Sequence, residues 1–150
     1  MGDPAAIQLH DAVLTALRAQ ANLDVLDGAV DDTGEPTYRL DPDGRAHMSA
    51  VLWWSTEYRH LIDETLCGAR PLTALPFQVT AVGGDQNRAL RAAAKITAAL
   101  SDTKVTSWSS RIREDTARST VLQDNSAKPA RWYLPIHYTV QLNPAATQGD

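Results

Sequence analysis

The stretch Phe77-Gln78-Val79-Thr80-Ala81-Val82-Gly83-Gly84-Asp85, followed by the alanine-rich run Gln86 to Leu100, decides the fold class. In its first part Phe77, Val79 and Ala81 alternate with Gln78 and Thr80, the period of a half-buried strand, and the extended run covers Leu72 to Val82. Past the two glycines the period changes. Ala89, Ala93, Ile96 and Leu100 recur at helical spacing and predict a helix over Gln86 to Leu100. Asp85 is a good N-cap for it, because its carboxylate can accept from the unpaired amides of the first turn.

Upstream, Asp3 can cap a first helix with Pro4 at its opening position, and Ile7, Val13, Leu14, Leu17 and Ala21 continue it to about Ala21 or Asn22. From Leu23 to Gly44 the pattern dissolves into turn chemistry, Asp31-Asp32-Thr33-Gly34-Glu35-Pro36 and Asp41-Pro42-Asp43-Gly44, with a short strand expected around Thr37 to Leu40. The run His47 to Ser55 has strand composition, with Met48, Ala50, Leu52 and Trp54 on one face and Val51 and Trp53 on the other. Apolar groups on both faces suggest a central strand or an oligomer contact. Tyr58 to Cys67 reads as a short helix or irregular segment, and Gly68 to Pro71 breaks it.

Downstream, extended regions are expected at Lys104 to Ser110 and Ser119 to Leu122, with a polar turn at Asp124 to Pro129. The last strand, Trp132 to Leu142, alternates Trp132, Leu134, Ile136, Tyr138, Val140 and Leu142 against polar or small partners. Pro135 has no amide hydrogen to give a ladder, so this strand is expected at an edge or locally bulged. The order of elements implies an α+β fold, a mainly antiparallel sheet of about four to five strands with two main helices packed on one face. Residues 1–142 form one domain in this reading, and 143–150 a short flexible C-terminal tail.

A chain of 150 residues is long enough for a single core, since folding at that size buries roughly two thirds of the unfolded surface. With 43% hydrophobic and 21% charged residues it has the balance of an ordinary soluble protein. The net charge of −4 argues against a dedicated nucleic-acid binder. Cys67 is the single cysteine, so neither an intramolecular disulfide nor a thiolate metal cluster within one chain can form. No basic leader followed by an apolar run opens the chain, and no stretch reaches the roughly 18 to 20 apolar residues of a membrane span.

Catalysis needs acid, base or nucleophile groups held together, yet His10, His47, His60 and His137 occur singly and without metal-ligand spacing. Ser109 or Ser110 with His137 could serve a hydrolase, but no G-x-S-x-G elbow exposes either serine. Gly83-Gly84-Asp85 occupies the strand-to-helix position of phosphate-binding loops. It lacks both G-x-G-x-x-G and Gly-Lys-Ser/Thr, and a tight turn leading to an Asp cap accounts for all three residues. Cys67 reads as a small buried side chain. The sequence therefore offers no catalytic, cofactor-binding or metal-binding residue, and the reading is a non-enzymatic protein without cofactor.

Charge is unevenly spread. Between Asp31 and Asp43 five acids, Asp31, Asp32, Glu35, Asp41 and Asp43, stand against Arg39 alone. Between Arg88 and Arg118 seven bases, Arg88, Arg91, Lys95, Lys104, Arg111, Arg113 and Arg118, stand against Asp102, Glu114 and Asp115. One reading is two solvated faces. The other is that the acidic loop of one copy meets the basic region of the next in a head-to-tail ring. The candidate assembly or lumen residues are Asp31, Asp32, Glu35, Asp41, Asp43, Trp53, Trp54, Arg88, Arg91, Lys95, Arg111 and Arg113.

The succession Leu66-Cys67-Gly68, then Phe77-Gln78-Val79-Thr80-Ala81-Val82-Gly83, then an alanine-rich helix resembles the tail terminator proteins of long-tailed bacteriophages (siphophages) infecting actinobacteria. The Leu66 to Leu100 block carries the specific similarity, and the remaining elements match in order. The chain departs from the family at Trp53-Trp54, where turn residues are expected, and at Ser55 to Thr65, which is longer. The resemblance implies a structural virion protein of the phage tail and neck, assembled in the host bacterial cytoplasm. It would form a hexameric ring on the last ring of tail tube protein, halt tube growth and meet the head-tail connector or stopper protein. DNA would be only passing cargo, and no membrane would be involved. A head-tail stopper or connector, a small ligand-binding or enzymatic domain, and a nucleic-acid-binding module using Arg88 to Arg118 are the alternatives.

Overall fold

A computed structural model describes residues 4–28, 38–54, 59–60, 73–115, 120–126 and 129–142. The elements follow in the order α1 (Pro4–Arg18), β1 (Asp24–Asp27), β2 (Ser49–Trp54), β3 (Arg59–His60), β4 (Thr73–Gly83), α2 (Gln86–Leu100), β5 (Arg113–Glu114), β6 (Leu122–Asp124) and β7 (Arg131–Leu142). The fold is α+β with one mixed sheet. Strands run β1-β2-β4-β7-β5, with β3 also pairing β4 and β6 also pairing β7. The β1–β2 pair is parallel and the other pairings are antiparallel. The described sheet has seven strands rather than the expected four to five, the additional ones being short.

Register fixes which side chains face the helices. Leu52 lies opposite Val79 and Val79 opposite Ile136, while Ala81 meets Leu134 and Phe77 meets Tyr138. Against this face α1 buries Ala6, Leu9, Val13, Leu14 and Leu17, and α2 buries Ala89, Ala92, Ala93, Ile96, Ala99 and Leu100. Each fully buried Leu, Ile or Val removes enough apolar surface from water to contribute about 1.5–3 kcal/mol. An aromatic row crosses the strands beneath the helices. Trp54 stands 4.9 Å from Phe77, Phe77 stacks 5.5 Å from Tyr138, and the Tyr138 hydroxyl pairs with Ser101 Oγ at 3.2 Å.

Strand β4 and helix α2 take the form expected of them, including the Asp85 cap, whose carboxylate accepts from the Arg88 amide at 2.7 Å. Helix α1 stops at Arg18, earlier than expected, and Asn22 at φ 59° turns the chain into β1. The expected Thr37–Leu40 strand reduces, in its described part, to a single bridge from Leu40 to Ala46. No strand forms over Lys104 to Ser110. Asp102 at φ 59° turns the chain after α2, and the Asp102 amide to Ile112 carbonyl and Ile112 amide to Thr103 carbonyl bonds close a loop there.

The position of β7 corrects the expectation built on Pro135. The strand lies inside the sheet, pairing β4 along its whole length. On its other side β6 pairs Arg131 to Tyr133 and β5 pairs Tyr138 to Thr139. Pro135 sits between these two short partners, where its missing amide hydrogen breaks no described pairing. The Asp3 cap, most of the Tyr58–Cys67 segment, Cys67 and the 143–150 tail lie outside the described residues.

Candidate functional site

The turn Gly83-Gly84-Asp85 is built for close packing. A Cβ on Gly83 would come 2.4 Å from the Ala89 nitrogen, and one on Gly84 would come 2.4 Å from Arg45 Cβ and 2.6 Å from the Ala46 nitrogen. A side chain at either position would overlap its neighbour. The first turn of α2 fills the space at Gly83, and the space at Gly84 is filled by the turn Asp41–Arg45, closed by the Asp41 amide to Arg45 carbonyl bond of 2.7 Å and docked by the Gly84 amide to Ala46 carbonyl bond of 2.9 Å. Gly83 admits the start of the helix and Gly84 admits a distant segment of the same chain.

Docking brings the acidic and basic regions together inside one chain. Arg88 Nη2 donates to Asp43 Oδ2 at 2.6 Å, Arg88 Nε lies 3.4 Å from Asp41, and Asp85 is 3.5 Å from both Arg88 and Arg45. The Arg88 guanidinium holds the Asp43 carboxyl below its usual range, aided by the Arg45 amide, and the same bond raises Arg88 in turn. Arg88 is thus ion-paired to Asp41 and Asp43 of its own chain, although its buried Nη1 makes no hydrogen bond among the described residues. Asp31, Asp32 and Glu35 lie outside the described residues.

Next to this cluster is an open cleft of about 490 Å³ with Asp41, His47, Asp85, Arg88 and Arg91 in its wall. Asp41 Oδ1 lies 2.7 Å from His47 Nδ1, while His47 Nε2 is buried and has no partner among the described residues. An imidazole oriented by a carboxylate is the geometry of a general base, but here the free nitrogen is turned away from solvent. Ser109 Oγ pairs with Thr106 at 2.6 Å and Ser110 Oγ donates to the Arg111 carbonyl, so neither serine hydroxyl meets His137 in these bonds. Among the described residues no group of three or more His, Cys, Asp or Glu side chains could hold a metal ion. No described helix is long and apolar enough to cross a membrane.

The second face of the sheet is the other notable surface. By strand alternation it carries Ser49, Val51 and Trp53 of β2, Pro76, Gln78, Thr80 and Val82 of β4, Leu122 and Asp124 of β6, and Arg131, Tyr133, Pro135, His137, Thr139 and Gln141 of β7. An antiparallel sheet with one solvated face normally turns polar side chains outward. Here polar and apolar side chains share the face: Val51, Thr80 and Val82 are buried in it, while Trp53 is 39% and Leu122 41% exposed. A pocket of about 210 Å³ opens in this face between Tyr38, Trp53, Thr80, Tyr133 and Arg131. The Arg131 guanidinium lies 4.8 Å above the Tyr38 ring and 3.9 Å from Asp124.

The candidates therefore separate. Trp53 belongs to this face, whereas Trp54 points into the helical side against His10 and Phe77. Arg91 is exposed and Lys95 half-buried on α2, away from the sheet, beside the exposed Leu90, Ala94 and Ala98, and neither cation has an ion-pair partner among the described residues. Arg111 donates to the Asp102 carbonyl at 2.9 Å, and Arg113 is exposed on β5. Sequence reading missed Tyr38, Leu122, Arg131 and Tyr133. Tyr133 and Pro135 stood in positions read as polar or small, and their apolar bulk on that face of the strand was the available signal. No protein-family model matches the chain, and a search of curated proteins finds no relative.

Proposed function

We propose that the chain is a structural subunit that acts by assembly, forming a head-to-tail ring at the head-proximal end of a phage tail tube. The ring would halt tube growth and offer the tail's attachment surface to the neck. One observation carries the assembly half of this reading. The subunit presents two unlike surfaces on opposite sides, the helix-free face of the sheet with exposed Trp53 and Leu122, and the outer side of α2 with Leu90, Arg91 and Lys95. A heterologous contact between copies requires such a pair, because each copy offers one surface and receives the other. The tail-terminator half rests on the sequence resemblance. With Asp41 and Asp43 held by Arg88 of the same chain, acidic charge for the lumen or a neighbour is sought first at Asp31, Asp32 and Glu35.

Light scattering on the eluting protein tests the assembly. A multimer at low salt that becomes monomeric in Trp53→Asp, with unchanged circular dichroism, supports it; a monomer at high concentration sinks it. Electron micrographs with tail tubes test the role, since tubes that keep growing in the presence of rings would leave assembly without termination. A small ligand-binding or enzymatic domain is the second reading, favoured by the Asp41–His47 pair beside the cleft. Chemical-shift changes confined to His47, Arg88 and Arg91 on adding small-molecule mixtures would support it.

A further inference from the structure

His10 occupies a different corner of the molecule, where α1 crosses the edge strand β1. Its ring is largely covered, with 19% of the side chain exposed, and packs edge-on against the Trp54 indole of β2 at 5.6 Å. Each ring nitrogen meets a carboxylate. Nε2 lies 2.7 Å from Asp27 Oδ1 on β1, and Nδ1 lies 2.9 Å from Asp11 Oδ1 on α1. A carboxylate at neutral pH only accepts, so both bonds form together only when both nitrogens carry hydrogen, which is the imidazolium. Neutral imidazole donates from one nitrogen and turns a lone pair toward the other carboxylate.

The bond to Asp27 is placed where the sheet is weakest. β1 has four residues, pairs among the described residues with β2 alone, and is the parallel member of the sheet. Its Asp24 amide donates to the Met48 carbonyl at 3.1 Å, and Asp24 is held from the side by Arg39 through bonds of 2.9 and 3.1 Å. Asp27, at the other end, is held by His10. Asp11 and Asp27 are the titratable groups facing His10 among the described residues, and β2 contributes the uncharged indole.

We propose that His10 is a protonation-controlled clamp that fastens the edge strand β1 to helix α1, and that losing its proton loosens β1 from β2. Burial is the largest single influence on His10 and by itself lowers its pKa, but the bonds to Asp27 and Asp11 and their charges outweigh it, leaving the pKa raised above 6.5. A raised folded-state pKa means that the clamp contributes fully below the unfolded value near 6.5 and is lost as pH rises through the folded value. The strand is therefore tightest under mildly acidic conditions.

Nuclear magnetic resonance on the intact chain tests this. The His10 ring is titrated between pH 5 and 9, and amide exchange of β1 is followed over the same range after correction for intrinsic rates. His10 should titrate above 6.5, and β1 protection should fall roughly two- to five-fold across its titration, the scale of a partly exposed ion pair. Protection at Ile96 in α2 should stay level, separating local release from global unfolding. Asp27→Asn should bring the His10 pKa down and flatten the β1 profile, and His10→Gln should flatten it as well. A His10 pKa at or below 6.5, or β1 protection independent of pH in the parent protein, would overturn the proposal.

Discussion

Replacing Gly84 by alanine tests whether the Gly-Gly-Asp turn is a packing device. The added methyl would lie 2.4 Å from Arg45 Cβ, 2.6 Å from the Ala46 nitrogen and 3.0 Å from the Ala46 oxygen. Carbon atoms rest near ~3.5 Å, so the turn Asp41–Arg45 would have to retreat by about 1 Å. Forcing an extra methyl into a filled site costs about 1–3 kcal/mol. The retreat also stretches the Gly84 amide to Ala46 carbonyl bond, which at 2.9 Å contributes about 1 kcal/mol net. The sum is a destabilisation of about 2–4 kcal/mol, which for a domain of this size lowers Tm by roughly 5–15 °C. Urea unfolding followed by circular dichroism, with the slope checked for constancy, measures it. A loss below about 1 kcal/mol, within the range of an ordinary surface change, would refute the claim that the turn seats the 41–46 segment.

Gly44 provides the contrasting case, since at φ 82° it has open space around its Cβ position, so Gly44→Ala should cost only the strain of a left-handed backbone, about 1–2 kcal/mol, and Gly44→Asn less in the same unfolding assay. Asp85→Ala removes the acceptor for the Arg88 amide and should cost about 0.5–2 kcal/mol, visible as a lower urea midpoint. Ile96→Ala empties a fully buried site between helix and sheet and should cost about 2–5 kcal/mol by calorimetry. Asp43, held by Arg88 below its ordinary value of 3.8, stabilises the fold above that pH and loses the contribution as pH falls through its lowered pKa. Acid titration of Tm should show a limb there that Asp43→Asn flattens.

Periodicity made β2, β4, α2 and β7 legible in advance, because each is long enough for its apolar residues to repeat several times on one face. It failed for β1, β5 and β6, whose two to four residues cannot show a period and whose pairing is decided by the strands beside them. The Lys104–Ser110 run had the composition of a strand but lies beyond Asp102, whose left-handed turn sends the chain into a loop. Among the candidate residues, Trp53 was found through the two-sided apolar pattern of its strand. The pairing of Arg88 with Asp41 and Asp43 spans more than forty positions, and only the docking of Asp41–Arg45 on Gly84 brings them together.

Pro135 has a consequence for how the molecule avoids its own kind of error. The outer row of β7 would otherwise be a long, regular template for a strand from another molecule, the usual start of uncontrolled aggregation. Two short strands cover its ends, and the proline interrupts the row between them with a residue that cannot donate. Extension of the sheet by a strand from another molecule is thereby discouraged at this margin.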